Sequence, residues 1–484
     1  MSLDGYISPI ASLPLEVLLD IFAICTECPG DELILLNLAS VCRYWREVIL
    51  NSPLVWQHIC LDDRRKIEAS HAQARLWLAH SGSLLLDVHV QLTSSDMLLP
   101  LLSPLVAYIS RWRTCTIAAE REEVTVFSEL TAEGIRPHLE QLEIELRGAE
   151  DFMGTSSSTD IGGSPTFRSL SSSYTPKRHD VAMHVTMCEL PDPSFLCPMR
   201  LTTLSIAETS VEVTTDLGRI LRFLTALPSL ETFHFSGWWP HDGSPMPPDA
   251  LPVAHLPRLQ TLFIRNTCIV RSLLAHIDAP ALTILSLRHT NIDFEVRHDT
   301  YARIVEEGDS EDEAHDFSQS PWSDRATGMG LRALIRRSNP PLELLDMDYA
   351  DMRTKDFRWC FDRLDHLREF RIVASDMSDT VIKLLSPYQS TSKCVAEDGS
   401  SFEEFKVTRV RLPMLSTLDL SFCQRLSGDA VAAALRSRVL LTDAIADNKT
   451  CRTLVHVSIV GCSDFLIPHA VALTPVLGNR LHVS

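Results

Sequence analysis

The sequence predicts an α/β chain: a small N-terminal unit of three helices, then a long body of stacked strand-plus-helix repeats interrupted by polar insertions. Three observations carry this. The first sixty residues hold three short runs too apolar to be ordinary surface helices. A Leu-x-x-Φ-x-Φ pattern, with Φ apolar, recurs nine times in full form after residue 138. Proline stands two residues ahead of the pattern in four of those copies, at Pro228, Pro257, Pro280 and Pro413.

The first run reads as a helix over Leu13–Ile24. Ser12 can cap it, Pro14 suits a first turn because it has no N–H to leave unpaired, and Glu16 complements the positive helix end. After Pro14 the only polar side chains are Glu16 and Asp20, four apart on one narrow stripe. A helix apolar almost all round is buried on two sides. One side belongs to its own bundle; the other takes either a separate partner or the body of the same chain. A second apolar run starts near Asp31 and reaches Val41, and a third carries Tyr44–Ile49. Asn51-Ser52-Pro53 breaks the third, and Leu54-Val55-Trp56 forms an apolar plug behind the break.

Leu13-Pro14-Leu15-Glu16-Val17-Leu18, Ile21-Phe22, Val41-Cys42-Arg43-Tyr44-Trp45-Arg46 and Ser52-Pro53-Leu54-Val55-Trp56, in that order, resemble the F-box, over roughly residues 10–60. The resemblance implies docking to a Skp-family adaptor and through it to a cullin, in a Skp–cullin–F-box ubiquitin ligase. By position it implies adaptor contacts from Leu13, Pro14, Val17, Leu18, Ile21 and Phe22 on the first helix, and from Val41, Cys42 and Trp45 around the second and third. The connector Cys25–Gly30 departs from the family pattern. An apolar helix laid against a partner's groove gives affinity without chemistry.

The body, residues 61–484, is read through its repeat. Full copies begin at Leu139, Leu201, Leu230, Leu259, Leu282, Leu342, Leu367, Leu415 and Leu454, with weaker ones at Leu85 and Trp112. Starts at 85, 112 and 139 are 27 apart, and those at 201, 230 and 259 are 29 apart. Both spacings resemble leucine-rich repeats, which stack as a curved solenoid. Leu-x-x-Leu alone is also helical spacing; the preceding prolines decide for a strand, because proline ends a helix and leads into extended chain. Helix-like runs such as Thr215–Leu224 and Asp429–Leu435 lie between copies.

In such a solenoid the residue between the two Φ positions points to the concave side: His89, Thr116, Glu143, Ser205, His234, Phe263, Ser286, Asp346, Arg371, Asp419 and Ser458. Their mixed charge and size suit a protein target. His234, Phe263, Asp346, Arg371 and Asp419 are the candidate target contacts. Trp238-Trp239 is either an aromatic anchor for that target or a cover for the repeat's own core edge. Polar insertions are expected at about 150–180, 300–325 and 388–405. Gly154–Pro176 has the composition of disorder, and Tyr388–Ser401 reads as a loose loop. Glu306–Asp316 carries seven acids in eleven residues around Ser310, a weak phosphorylation candidate.

Composition narrows the function classes. The chain has 484 residues, 45% hydrophobic and 22% charged, with 44 basic against 63 acidic side chains and a net charge of −19. That balance repels phosphate backbones and anionic bilayers, so neither nucleic acid nor membrane is an expected partner. No secretory leader is expected, so the 13 cysteines read as reduced thiols in cytoplasm or nucleus. Cys25-x-x-Cys28 lacks a second ligand pair at zinc spacing, and Cys42, Cys60, Cys423 and Cys462 read as buried. No phosphate-binding, dinucleotide, nucleophile-elbow or zinc-protease motif occurs, and the histidines are scattered singly. The expectation is a receptor without cofactor, metal or catalytic residues, holding a target beside a carrier enzyme.

Overall fold

The computed structural model describes residues 13–27, 33–92, 97–119, 141–147, 180–186, 190, 201–208, 217–237, 251–267, 269–290, 327–350, 352–375, 377–395, 402–445 and 451–484. Trp238, Trp239, Ser12, the acidic run 306–316 and residues 154–176 lie outside them. Two compact units divide between Ser205 and Ile206.

In the first unit, α1 spans Leu15–Glu27, α2 Ile34–Val41 and α3 Arg43–Leu50, followed by a 3₁₀ turn at Pro53–Trp56. The carbonyl of Pro14 accepts the N–H of Leu18, so α1 starts directly behind the proline. The sulfur of Cys42 caps α3, accepting the Trp45 N–H at 3.4 Å from an exposed position. This corrects the burial expected of Cys42: at the junction of two helices an acceptor is worth more than an apolar filler. Strands β1 (His58–Asp62), β2 (Leu86–Gln91), β3 (Trp112–Ala119), β4 (Gln141–Arg147) and β5 (Asp180–Thr186) follow as a parallel ladder. Helices α4 (Ile67–His80) and α5 (Leu98–Val106) connect the early strands. Trp56 ties the helical unit to α4: its indole N–H donates to the Ile49 carbonyl at 2.8 Å and its ring packs on Trp77 and His80.

The strand β6 (Thr203–Ala207) lies at the boundary. The second unit contains strands β7 (Thr232–Ser236), β9 (Thr261–Arg265), β11 (Ile284–Arg288), β12 (Leu344–Asp348), β13 (Glu369–Val373), β16 (Thr417–Ser421), β17 (His456–Val460) and β18 (Leu481–Val483), again a parallel ladder. A two-residue ladder, β8 (Ala254–His255) with β10 (Ile277–Asp278), adds to it on the connecting side. Between the strands run α6 (Leu217–Thr225), α7 (Val270–Ala275), α8 (Thr327–Ser338), α9 (Thr354–Phe361), α10 (Asp379–Lys383), α11 (Gly428–Ala444) and α12 (Ile467–Leu477). Both Φ positions of the strands from β7 to β17 in this parallel ladder are buried, for example Leu262 and Ile264, Leu285 and Leu287, Leu345 and Met347, Leu418 and Leu420, whereas in the terminal β18 Leu481 is half-buried and Val483 exposed. Stacked parallel strands bury one side chain in two, which is the alternation the pattern encodes.

The prolines act somewhat differently from the simple helix stop. The N–H groups of Leu230, Leu259, Leu282 and Leu415 bond back to the carbonyls of Leu227, Leu256, Ala279 and Leu412. Pro228, Pro257, Pro280 and Pro413 therefore occupy the second position of a tight turn, where a fixed φ is an advantage. The loose loop expected over Tyr388–Ser401 is corrected over its first part, where β14 (Tyr388–Val395) pairs antiparallel with β15 (Phe402–Arg409); residues 396–401 lie outside the described residues. Tyr388, Thr391 and Val395 suit a strand once a partner exists, and that partner lies beyond the segment in sequence. The Arg411 guanidinium stands over the Tyr388 ring at 4.4 Å.

Directly after the strands the backbone turns left-handed: Asn266, His289, Tyr349, Ala374, Phe422 and Gly461 have φ of 52°, 48°, 47°, 50°, 54° and 61°. The N–H groups of the first five bond to the carbonyl ending the next strand, and that of Gly461 to the carbonyl of Ser484 just past β18, so the ladder gains one further rung. For a residue with a Cβ this costs roughly 1–2 kcal/mol. Ala374→Gly is expected to raise stability by about 1 kcal/mol, net of its entropy cost in the unfolded chain. A denaturant midpoint that moves down would contradict the strain.

Candidate functional site

Two surfaces can hold a protein partner. The first is the outer face of the helical unit. Leu18, Phe22, Leu35, Ile49, Val55 and Trp56 point inward and are buried, and Phe22 meets Trp45 edge-on at 5.0 Å. Away from that core, Val17 (42% exposed), Ile21 (41%) and Ile24 (62%) leave one stripe of α1 bare, and Leu15 (46%) is exposed in its first turn. Leu36, Val41, Tyr44, Leu50 and Leu54 are also exposed, as are Pro14 and Cys42. Leu13 and Trp45 are half-buried. The expected adaptor set thus divides by face: Pro14, Val17, Ile21, Val41 and Cys42 are presented outward, whereas Leu18 and Phe22 build the bundle. Leu15, Ile24 and Tyr44 are additional exposed apolar groups; the all-round apolar pattern of α1 was the signal for the first two. A contiguous apolar face of this extent is what a protein interface leaves on an isolated subunit.

The second surface is the side of the strand ladders that alternates with the buried leucines. Register pairs its central residues in one row. In the first unit these are Cys60, His89, Thr116, Glu143 and Ala182. In the second they are His234, Phe263, Ser286, Asp346, Arg371, Asp419, Ser458 and His482. Cys60, Ala182 and His482 escaped the sequence pattern because their repeats begin with Trp56, Arg178 and Gly478 instead of leucine. Cys60 is half-buried, and burial pushes its thiol up.

The second-unit row is knit together. His234 stacks on Phe263 at 5.3 Å, and the Arg288 guanidinium lies over the same phenyl ring at 5.1 Å from its centre. Arg288 donates to the Asp346 carboxylate at 2.7 and 3.1 Å, and the Ser286 hydroxyl donates to the same oxygen at 2.9 Å. Asp346 is only 7% exposed, so its charge is committed inside the row. Arg371 is exposed and pairs with Glu369 at 3.1 Å; Asp419 accepts from the Ser421 hydroxyl at 3.3 Å. Two residues further along the strands, Arg265 and Arg288 are register partners, and burial followed by the charge of Arg288 lowers the Arg265 guanidinium from its ordinary value. Burial raises the Asp348 carboxyl, against the pull of His289 and Arg288. Sequence reasoning missed Arg265, Arg288 and Asp348, although the period of two puts them on the same face. In the first unit His184 and Glu143 are 3.3 Å apart, and burial holds the imidazole below its usual value despite Glu143 and Glu145.

Asp346→Ala is expected to cost about 2 kcal/mol, because Arg288 and Ser286 lose their acceptor in a half-buried place. Asp346→Asn, which keeps an acceptor, should cost less. Equal unfolding midpoints for both and wild type would contradict the network. Among the described residues no group of three histidine, cysteine or acidic side chains is disposed to hold a metal ion. Among them, too, no helix is long and apolar enough to cross a membrane.

Residues 10–62 match the F-box-like family. The F-box-like segment therefore contains α1, α2, α3, the 3₁₀ turn and β1. No curated protein matches the chain. Among solved structures, a chain in the crystal structure of the Rad7 and Elc1 complex from yeast is similar at 13% identity, covering 97% of this chain and 87% of that chain, with a TM-score of 0.31.

Proposed function

We propose that the chain is the substrate-recognition subunit of a Skp–cullin–F-box ubiquitin ligase. The observation that carries the reading is the bare apolar face of α1, with Val17, Ile21 and Ile24 outward, inside a segment that matches the F-box-like family. On this reading the outward face docks a Skp-family adaptor by helix-in-groove burial, and the adaptor links to the cullin. The ladder rows around His234, Phe263 and Arg371 hold a protein target. The chain contributes no catalytic residue. Its effect is to raise the local concentration of target beside a charged carrier enzyme in cytoplasm or nucleus.

The test is a pull-down of the intact chain with purified Skp-family adaptor and cullin. Capture of both supports the ligase receptor. Capture of the adaptor alone redirects the reading to an F-box–adaptor scaffold working outside a cullin ligase. Capture of neither removes both.

A further inference from the structure

We propose that the helical side of the second unit carries a docking surface for an acidic segment of a partner protein, built from Arg332, Arg336 and Arg363 around Trp359. Arg332 and Arg336 lie one turn apart on α8, so they share a face. Trp359 on α9 and Arg363 just beyond it are likewise four residues apart, and α8 packs beside α9. The guanidinium carbons of Arg363, Arg332 and Arg336 stand 4.1, 5.3 and 5.8 Å from the centre of the one indole.

Internal needs do not account for three cations on one ring. A single arginine on an indole face gains about 0.5–1 kcal/mol at an exposed site, but further cations at the same ring repel the first. Among the described residues the acid supply is short. Asp356 is buried and is shared by Arg332, at 2.8 Å, and Arg353, also at 2.8 Å. Asp362 is taken by Arg411 at 2.6 Å. Among the described residues Arg336 makes no ion pair, and Arg363 donates only to the Trp359 carbonyl, at 3.1 Å. Both are exposed. Among the described residues of a chain of net charge −19, positive charge without an ion-pair partner is thus concentrated at one aromatic platform.

Charge complementarity makes the occupant anionic, and two features narrow it. The negative charge of the whole chain disfavours a long polyanion such as nucleic acid, which would extend past the patch. The guanidiniums are spread around a ring on an open surface, which matches several spaced carboxylates along a peptide better than one compact dianion. The indole between them offers apolar contact to the aliphatic stems of glutamates. This surface is separate from α1 and from the strand rows, and it is measured without adaptor, so it stands or falls apart from the ligase reading.

The experiment is fluorescence anisotropy of the full chain at physiological salt with a fluorescein-labelled glutamate-rich peptide, its glutamine counterpart serving as the neutral probe. The glutamate peptide should bind and the glutamine peptide should not. Arg336→Glu/Arg363→Glu should weaken binding at least about tenfold, and Arg336→Gln/Arg363→Gln should weaken it in the same direction without adding acids. Both residues are exposed, so thermal unfolding should be unchanged. Lys406→Glu/Arg409→Glu on the hairpin should leave affinity as it was. No binding, equal binding of the two peptides, or equal loss in the hairpin variant overturns the proposal.

Discussion

Ile21→Asp is expected to abolish adaptor capture while leaving the fold intact, and Phe22→Asp, one residue on, to unfold the helical unit. The two side chains lie about 100° apart around α1, one on the exposed side and one in the core. Ile21 is 41% exposed and Phe22 is fully buried against Trp45. An aspartate at 21 meets water in the free chain, so its cost to stability is small; at an interface it would bury an unpaired carboxylate in an apolar groove. Loss of a central apolar anchor in this way weakens binding by about thirtyfold or more. At 22 the carboxylate has no route to solvent, and loss of the ring alone costs about 3–5 kcal/mol. The measurement pairs adaptor affinity with the unfolding midpoint for each variant. If Ile21→Asp binds as wild type with an unchanged midpoint, α1 is not the docking helix.

Arg438→Met should be among the most destabilising single changes in the second unit. Arg438 on α11 is fully buried, with its guanidinium donating to the carbonyls of Leu412 at 2.6 Å, Arg411 at 2.7 Å and Leu385 at 3.4 Å. The Leu412 carbonyl also accepts the Leu415 N–H in the turn that leads into β16, whereas among the described residues the carbonyls of Arg411 and Leu385 are shown accepting only from Arg438. Methionine fills much of the volume and removes the guanidinium donors, leaving the carbonyls of Arg411 and Leu385 without that partner at a cost of about 3 kcal/mol. Burial lowers the Arg438 guanidinium to about 10, so it stays cationic at neutral pH. Because the folded value lies below the unfolded one, the unfolded chain holds more protons in the alkaline window above about 10. This group's contribution to stability therefore rises with pH there and is flat near neutrality. Denaturant unfolding of wild type and Arg438→Met checks the size of the loss. A midpoint unchanged by the substitution would mean that water or backbone adjustment satisfies the carbonyls.

The leucine rows were legible because their signal is local and repeated. Leu259-x-x-Leu262-x-Ile264 announces one buried stripe, and its neighbours at Leu230 and Leu282 announce that the stripe is stacked. Strands β1, β5 and β18 were missed, since Arg178 and Gly478 stand where leucine was sought and Trp56 is not a leucine. The hairpin of β14 and β15 was missed for a different reason. Its two halves are polar, and pairing between Tyr388 and Arg409 is a contact across the chain that no short window contains.

Spacing by itself determined the alternation of buried and outward residues, the order of the repeats and the apolar excess of the first helix. These depend on periods of two and 3.6, which any short stretch expresses. Only the tertiary structure decided which side of α1 is core, turning Leu18 and Phe22 inward and Val17 and Ile21 outward. It alone committed Asp346 to Arg288 rather than to solvent, and it alone brought Arg332, Arg336 and Arg363 to one indole. Those outcomes depend on packing partners in other elements: α2 and α3 for α1, the neighbouring strand for Asp346, and α8 against α9 for the arginines. A helix that is apolar on all sides carries no internal mark of its inner face; that is set by whichever neighbour excludes water first.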